Sequence, residues 1–239
     1  MDLKVFIIFK VTNNHLKKVN HSSQEGSFSL QQKPKFMNKY ITEFIGTFFL
    51  VLAAGFASGD LAVLVIASAL MVMIYAGGHI SGGHYNPAVT LAVLIRGRIG
   101  TSDAIAYMVS QLVGAVVAAL LVGYFREAIA EPVQVHDTTK ALLGEFLGTF
   151  ALAYVVLNVA TAKGTAGNSF YGLAIGFTVF FAGSLLGGLS GGAFNPAVAV
   201  GAAISKAFAW STIWIYLVGC FGGGLLAALV FKMNNADDK

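Results

Sequence analysis

The polar residues of this chain that could act on a solute come in two copies of one phrase. Ser81 to Ala92 reads SGGHYNPAVTLA, and Ser190 to Gly201 reads SGGAFNPAVAVG. Each copy holds Asn-Pro-Ala: Asn86, Pro87 and Ala88 in the first, Asn195, Pro196 and Ala197 in the second. Asparagine is a strong N-cap and proline suits the first helical position. Each phrase therefore predicts a helix start, and a helix N-terminus carries about half a positive charge. Such a start repels cations, hydronium included, while its asparagine amide can donate hydrogen bonds to something neutral. The glycine-rich lead-ins have a separate use. Extended backbone there leaves carbonyls without helical partners. Those of Gly82, Gly83, His84 and Tyr85, and of Gly191, Gly192 and Ala193, are expected to line a passage with acceptors. Acceptors, then two donors, then acceptors again suit water or a small hydroxylated solute.

Other chemistry finds little support. Glu43 and Glu145 are charges inside apolar runs, where an ionisable residue is a functional candidate by default. Their expected role is structural: buried acceptors for the backbone of the two phrases. His79 is read as a fixed, hydrogen-bonded loop histidine, and His84 as a residue that lines or gates the passage. No Cys/His/Asp cluster stands at ligand spacing, so no metal site is expected. Neither a nucleophile elbow nor a phosphate loop suggests an enzyme or a cofactor. The single cysteine, Cys220, lies in an apolar segment and reads as a small buried hydrophobe.

The elements that must position these residues follow from composition and length. The chain has 239 residues, 56% hydrophobic and only 11% charged. A soluble domain carries about 25% charged residues, so this is a membrane protein. Six apolar stretches are long enough to cross about 30 Å of hydrocarbon as helices. They fall near 39–58, 61–78, 102–125, 140–160, 168–187 and 209–231. Long apolar runs, rather than in-out alternation, exclude a β-barrel. Two shorter pieces, Pro87 to Ile95 and Pro196 to Ile204, follow the repeated phrases directly. Nine helical residues reach about 13–14 Å, half a membrane. Re-entrant half-helices of that kind are tolerated where they are buried in protein or line a wet cavity. The fold class is thus an all-α membrane protein with six transmembrane helices and two re-entrant half-helices.

The chain is also a duplicate. EFIGTFFLVLAAG at Glu43 recurs as EFLGTFALAYVVL at Glu145, an offset of 102. ISGGHYNPAVT at Ile80 recurs at Leu189, and YMVSQLVGAVVAAL at Tyr107 recurs loosely at Tyr216, both at an offset of 109. Each half holds an odd number of spans, so the second half enters the membrane upside down. An inverted repeat of this kind places its site near the midplane, where the halves meet. The organisation is a first repeat over 37–132, a second over 133–232, and a tail at 233–239. Gly114, Gly123, Gly219 and Gly223 are expected at close helix contacts.

Basic residues give the orientation, and they read as topology rather than as a nucleic-acid surface. With the N-terminus inside, twelve of the fifteen Lys and Arg fall on the cytoplasmic side, leaving Arg126, Lys140 and Lys206 outside. That bias fits cytoplasmic termini and a plasma (inner) membrane location. Residues 1–36 are polar and read as a disordered cytoplasmic arm, with Met37 an alternative natural start. The glycosylation triplet at Asn20 then lies on the wrong side of the membrane.

TEFIGTF, GHISGGHYNPAVT, SQLVGA and GGAFNPAVAVG together resemble the aquaporin, or major intrinsic protein, family over about residues 37–232. The resemblance implies a passive channel through each subunit of a homotetramer in the lipid bilayer. It also implies an outer filter at Ile66, Gly183, Gly192 and Val198. Most members carry arginine at the last of these, and here Val198 replaces it, followed by Ala199. The expectation is a wide, apolar, uncharged filter that passes water and small neutral solutes such as glycerol, urea or ammonia. Rival readings are a solute facilitator with poor water conduction, an ion-coupled alternating-access transporter, and a non-conducting structural membrane protein.

Overall fold

A computed structural model describes residues 36–126 and 131–238. The expected arm, apart from Phe36, and the Asn20 triplet lie outside the described residues.

Among the described residues, eight α-helices carry the fold: α1 Phe36–Phe56, α2 Ala62–Ser81, α3 Pro87–Arg96, α4 Thr101–Phe125, α5 Thr138–Val156, α6 Tyr171–Ser190, α7 Pro196–Ile204 and α8 Ile213–Asn234. All but α3 and α7 are long and apolar enough to cross a membrane. Their outward faces stay apolar: Phe49, Phe181 and Leu185 are exposed, as a lipid-facing surface requires. The half-helices are the reverse, with Ala88, Val89, Ala92, Ala197 and Ala199 buried at 0–2% exposure. The 3.6-residue period thus turns lipid-facing helices outward, whereas α3 and α7 are enclosed on all sides.

Observed boundaries differ from the sequence expectation by a few residues, for local reasons. The α6 span starts at Tyr171, not 168, because Asn168 closes the turn before it. Its Nδ2 donates to Val159 O at 2.7 Å and Thr165 O at 2.6 Å, and its Oδ1 accepts from Phe170 N. Both α2 and α6 run three residues further than expected. They stop where Gly82 and Gly191 take left-handed φ values of 90° and 99° and return their N–H groups to Gly78 O and Gly187 O. Only glycine adopts that conformation without a Cβ penalty. Beyond Val156, α5 continues as a π-turn over Leu157–Thr161.

Lys39 Nζ meets Asp103 Oδ2 at 2.5 Å near the starts of α1 and α4. Arg126 donates to Gly55 O near their ends. These two helices therefore run side by side in the same direction, as do their repeat equivalents α5 and α8. The face where α1 begins is called the near face here, and the opposite one the far face. Close approach depends on missing side chains. A Cβ on Gly114 would meet Phe44 O at 2.5 Å, and one on Gly223 would meet Phe146 O at 2.3 Å. At Gly219 it would meet the Glu145 Cβ at 2.8 Å. Gly123 differs from the expectation: nothing stands within 4 Å of its Cβ position, because it lies on an exposed part of α4.

Candidate pore

The two phrases are held by two carboxylates. Glu43 on α1 is fully buried. It accepts from Ser81 Oγ at 2.7 Å, His84 N at 2.9 Å, Tyr85 N at 2.7 Å and Gln111 Nε2 at 2.8 Å. Glu145 on α5 is equally buried. It accepts from Ser190 Oγ at 2.6 Å, Ala193 N at 3.0 Å, Phe194 N at 2.7 Å and Cys220 Sγ at 3.5 Å. Every contact of either carboxylate is with a donor, as buried charge requires. Tyr107 and Tyr216 extend the cages by donating to Ser81 O at 2.7 Å and Ser190 O at 2.5 Å. Thus the donors spent on Glu43 and Glu145 shape the non-helical backbone ahead of each half-helix.

The two half-helices start as the residue types predict. Asn86 Oδ1 accepts from Ala88 N at 2.9 Å and Asn195 Oδ1 from Ala197 N at 2.9 Å, with Pro87 and Pro196 at the first helical positions. The asparagine amides then cross between halves. Asn86 Nδ2 donates to Phe194 O and Asn195 Nδ2 to Tyr85 O, both at 2.9 Å. Each amide keeps one further N–H, and both asparagines line one cavity. Two positive helix ends therefore meet beside two outward-pointing donors.

The lead-ins are not extended, contrary to the sequence expectation. Gly82, Gly83 and Tyr85 have φ of 90°, 64° and 49°, and Gly191, Gly192 and Phe194 have 99°, 69° and 47°. Left-handed turns let successive N–H groups converge on a single carboxylate, and an extended strand would not. Gly83, His84, Gly191, Gly192 and Ala193 still line the cavity, but Tyr85 does not join them. Its carbonyl accepts the Asn195 amide, and its ring fills the gap left by Gly46, whose Cβ position lies 2.1 Å from Tyr85 Cε1. Phe194 does the same against Gly148, at 2.3 Å.

That cavity, about 290 Å³, reaches from His84 to Phe208. A second of about 340 Å³ shares His84 and Val156 with it, and a third of about 640 Å³ shares Gly82, Arg98, Ala160 and Thr161 with the second. The three lie in series toward the near face, with His84 and Val156 at the first junction. Hydrogen bookkeeping orients His84. Gln111 Nε2 donates to Thr90 Oγ1 at 3.0 Å, and Thr90 Oγ1 donates to Asn86 O at 3.0 Å. The contact of His84 Nδ1 with Thr90 Oγ1, 3.0 Å, is left for a proton on Nδ1, which makes Nε2 an acceptor. His79 departs from its expected role: it is exposed, and lines the wide near-face cavity.

Of the four filter positions, Ile66, Gly192 and Val198 line the main cavity. Gly183 does not appear in its wall; a Cβ there would meet Val63 Cγ1 at 2.6 Å. Sequence reasoning missed Val63, and it missed Gln111, Tyr107 and Tyr216 as cage members. The tyrosines were legible in principle, since Tyr107 and Tyr216 are repeat equivalents at the offset of 109.

An inverted pair of three-span repeats with two capped half-helices meeting at the centre of a cavity defines a membrane-channel class of protein. Comparison with known sequences agrees. The sequence model of the family described as Major intrinsic protein matches residues 30–231. The chain is 37% identical to glycerol uptake facilitator protein-like 6 of Lactiplantibacillus plantarum over 217 residues, 84% of this chain and all of that one. It is 33% identical to nodulin-26 of Glycine max over 249 residues, covering 98% and 89% of the two chains. The fold matches the crystal structure of the aquaglyceroporin from Plasmodium falciparum with a TM-score of 0.70 at 23% identity, over 82% of this chain and 96% of that one. This chain belongs to the major intrinsic protein family, whose members are channels and not enzymes.

Proposed function

We propose that the chain is a passive channel for water and for neutral solutes wider than water, such as glycerol, urea and ammonia. The observation that carries this reading is the cavity wall at the outer filter. Ile66, Gly192 and Val198 stand there, so the filter itself holds an apolar branched chain, a bare backbone and a second branched chain. These three positions impose neither a narrow polar ring nor a charge, and Arg126 is the one cation elsewhere in the described wall. The paired helix ends at Asn86 and Asn195 keep a positive barrier at the centre, which supports exclusion of cations. One amide N–H of each asparagine and Nε2 of His84 at the centre, and Ser205 and Arg126 farther out, are among the polar groups a neutral solute would meet. The lysine and arginine distribution supports both termini on the cytoplasmic side of a plasma or inner membrane, with the far face outside. The apolar outer surfaces fit lipid and a homotetramer.

Stopped-flow swelling of proteoliposomes with a panel of glycerol, urea and ammonia tests the reading. Flux of water together with at least one larger solute is the expected result. Water flux with none of the solutes would overturn the wide filter. Solute flux without water flux would select a facilitator with poor water conduction.

A further inference from the structure

The two repeats are not equally filled. Where α3 of the first repeat meets α5 and α8 at the near face, a buried arginine fills the corner, although Val93 and Val156 there still line the second cavity. Arg96 lies 4.8 Å over the Phe231 ring, donates to Asp238 Oδ1 at 2.7 Å, and its side chain is only 4% exposed. The equivalent corner of the second repeat lies between α1, α4 and α7 at the far face. There each place holds a smaller residue. The offset of 102 puts Ala54 and Gly55 where the first corner has Val156 and Leu157. The offset of 109 puts Val122, Ala202 and Ser205 where it has Phe231, Val93 and Arg96. All five of the smaller residues line the main cavity, which extends into this corner as a lobe.

Arg126 also lines the cavity, held against α1 by donation to Gly55 O. It is the only lysine or arginine in the wall, and no aspartate or glutamate lines that wall among the described residues. An apolar lobe with an arginine at its edge and no carboxylate among the described residues of its wall has the chemistry of an amphiphilic anion site. Guanidinium takes a carboxylate through two parallel hydrogen bonds, and the alanine and valine wall takes a short alkyl chain. We propose that this lobe binds a short-chain alkyl carboxylate. The carboxylate lies on Arg126, and the chain lies against Ala54, Val122 and Ala202, beside Val198 and outside the central barrier. The site owes its existence to the unequal filling of two corners that the duplication made alike.

Equilibrium binding of radiolabelled butyrate to the full chain in lipid nanodiscs at pH 7 tests this without any flux measurement. Saturable binding of one butyrate per chain is expected, displaced by butanesulfonate and not by butanol. Arg126→Gln should weaken it roughly tenfold or more. Ala54→Val combined with Ala202→Val, the residues of the other corner, should weaken it similarly while Arg126 stays in place. No saturable binding at millimolar butyrate would overturn the proposal. Equal displacement by butanol would overturn the anion, equal displacement by chloride would overturn the alkyl chain, and undiminished binding in both variants would overturn the location.

Discussion

Asn86 and Asn195 are tied across the repeat boundary: the amide of each donates at 2.9 Å to the carbonyl immediately preceding the other, on Phe194 and Tyr85. Each asparagine therefore caps its own helix with Oδ1 and fixes the opposite lead-in with Nδ2. Asn195→Asp keeps the capping acceptor, removes the donor to Tyr85 O and places a carboxylate at the positive centre. It should admit protons that the parent excludes, read as collapse of a pH gradient in dye-loaded proteoliposomes. A gradient as durable as the parent's would show that the barrier lies elsewhere.

Val198→Arg places a guanidinium in the outer cavity beside Ile66 and Gly192. Glycerol flux should fall by a larger factor than water flux, because the added side chain narrows an already apolar passage. Equal reductions of the two would mean that Val198 does not set the width.

Gly183 and Val63 should be coupled. A Cβ on Gly183 comes within 2.6 Å of Val63 Cγ1, so Gly183→Leu should destabilise the protein by about 1–3 kcal/mol through overpacking. Adding Val63→Ala should restore part of that loss, a non-additivity expected of residues in contact. Thermal unfolding of both single variants and the double variant would settle it; strict additivity would mean the pair does not touch.

Gly148→Ala should fail more severely than Gly183→Leu. Its new methyl would sit 2.3 Å from the Phe194 ring, and that ring belongs to the lead-in held by Glu145. Moving it disturbs the cage, so stability and water flux should fall together. Retention of parental flux would show that the ring can yield without moving the lead-in.

Asp238 ties the chain's last described residues to three places: Arg96 at 2.7 Å, Arg98 at 3.2 Å and the Lys163 backbone N–H at 2.7 Å. The Lys163 N–H, and then Arg96, hold its carboxyl below the usual aspartate range. A carboxyl with a depressed folded-state value contributes above the ordinary aspartate value of about 3.9, and that contribution is lost as pH falls through the lower, folded value. Hydrogen exchange at the Lys163 amide should therefore be slow at pH 5 to 7 after correction for intrinsic rates, and should quicken below about pH 4. Asp238→Asn should quicken it at neutral pH. Protection unchanged in that variant would exclude the tie.

What the sequence made legible was residue type, spacing and internal repetition. Asn-Pro capping, the half-length of α3 and α7 and the burial of Glu43 and Glu145 follow from residue type and spacing within one segment. Contacts between the two repeats were not legible. The Asn195 amide reaches Tyr85, 110 positions away, and so withdraws a carbonyl that reads as pore wall in the sequence. Convergence of N–H groups on one carboxylate forces left-handed turns at Tyr85 and Phe194, where glycine richness alone suggests extended chain. His79 reads as a fixed loop histidine beside the first phrase, yet it lies in the last turn of α2 and faces the wide near-face cavity. Gly123 shows the same limit from the other side, since helix phase, not composition, decides whether a glycine meets a neighbour.

The reciprocal tie between halves has a consequence for how the protein is made. When α3 has been synthesised, the carbonyl that its Asn86 amide requires still lies 108 residues ahead, at Phe194. Until then the first half carries a polar group at membrane depth with no partner on its own side of the duplication. Three more membrane-length helices, α4, α5 and α6, are therefore made before Phe194 arrives, and α8 must still follow to complete the second cage through Tyr216 and Cys220. A truncated first repeat should consequently stay bound to insertion factors rather than leave for the bilayer as a finished domain.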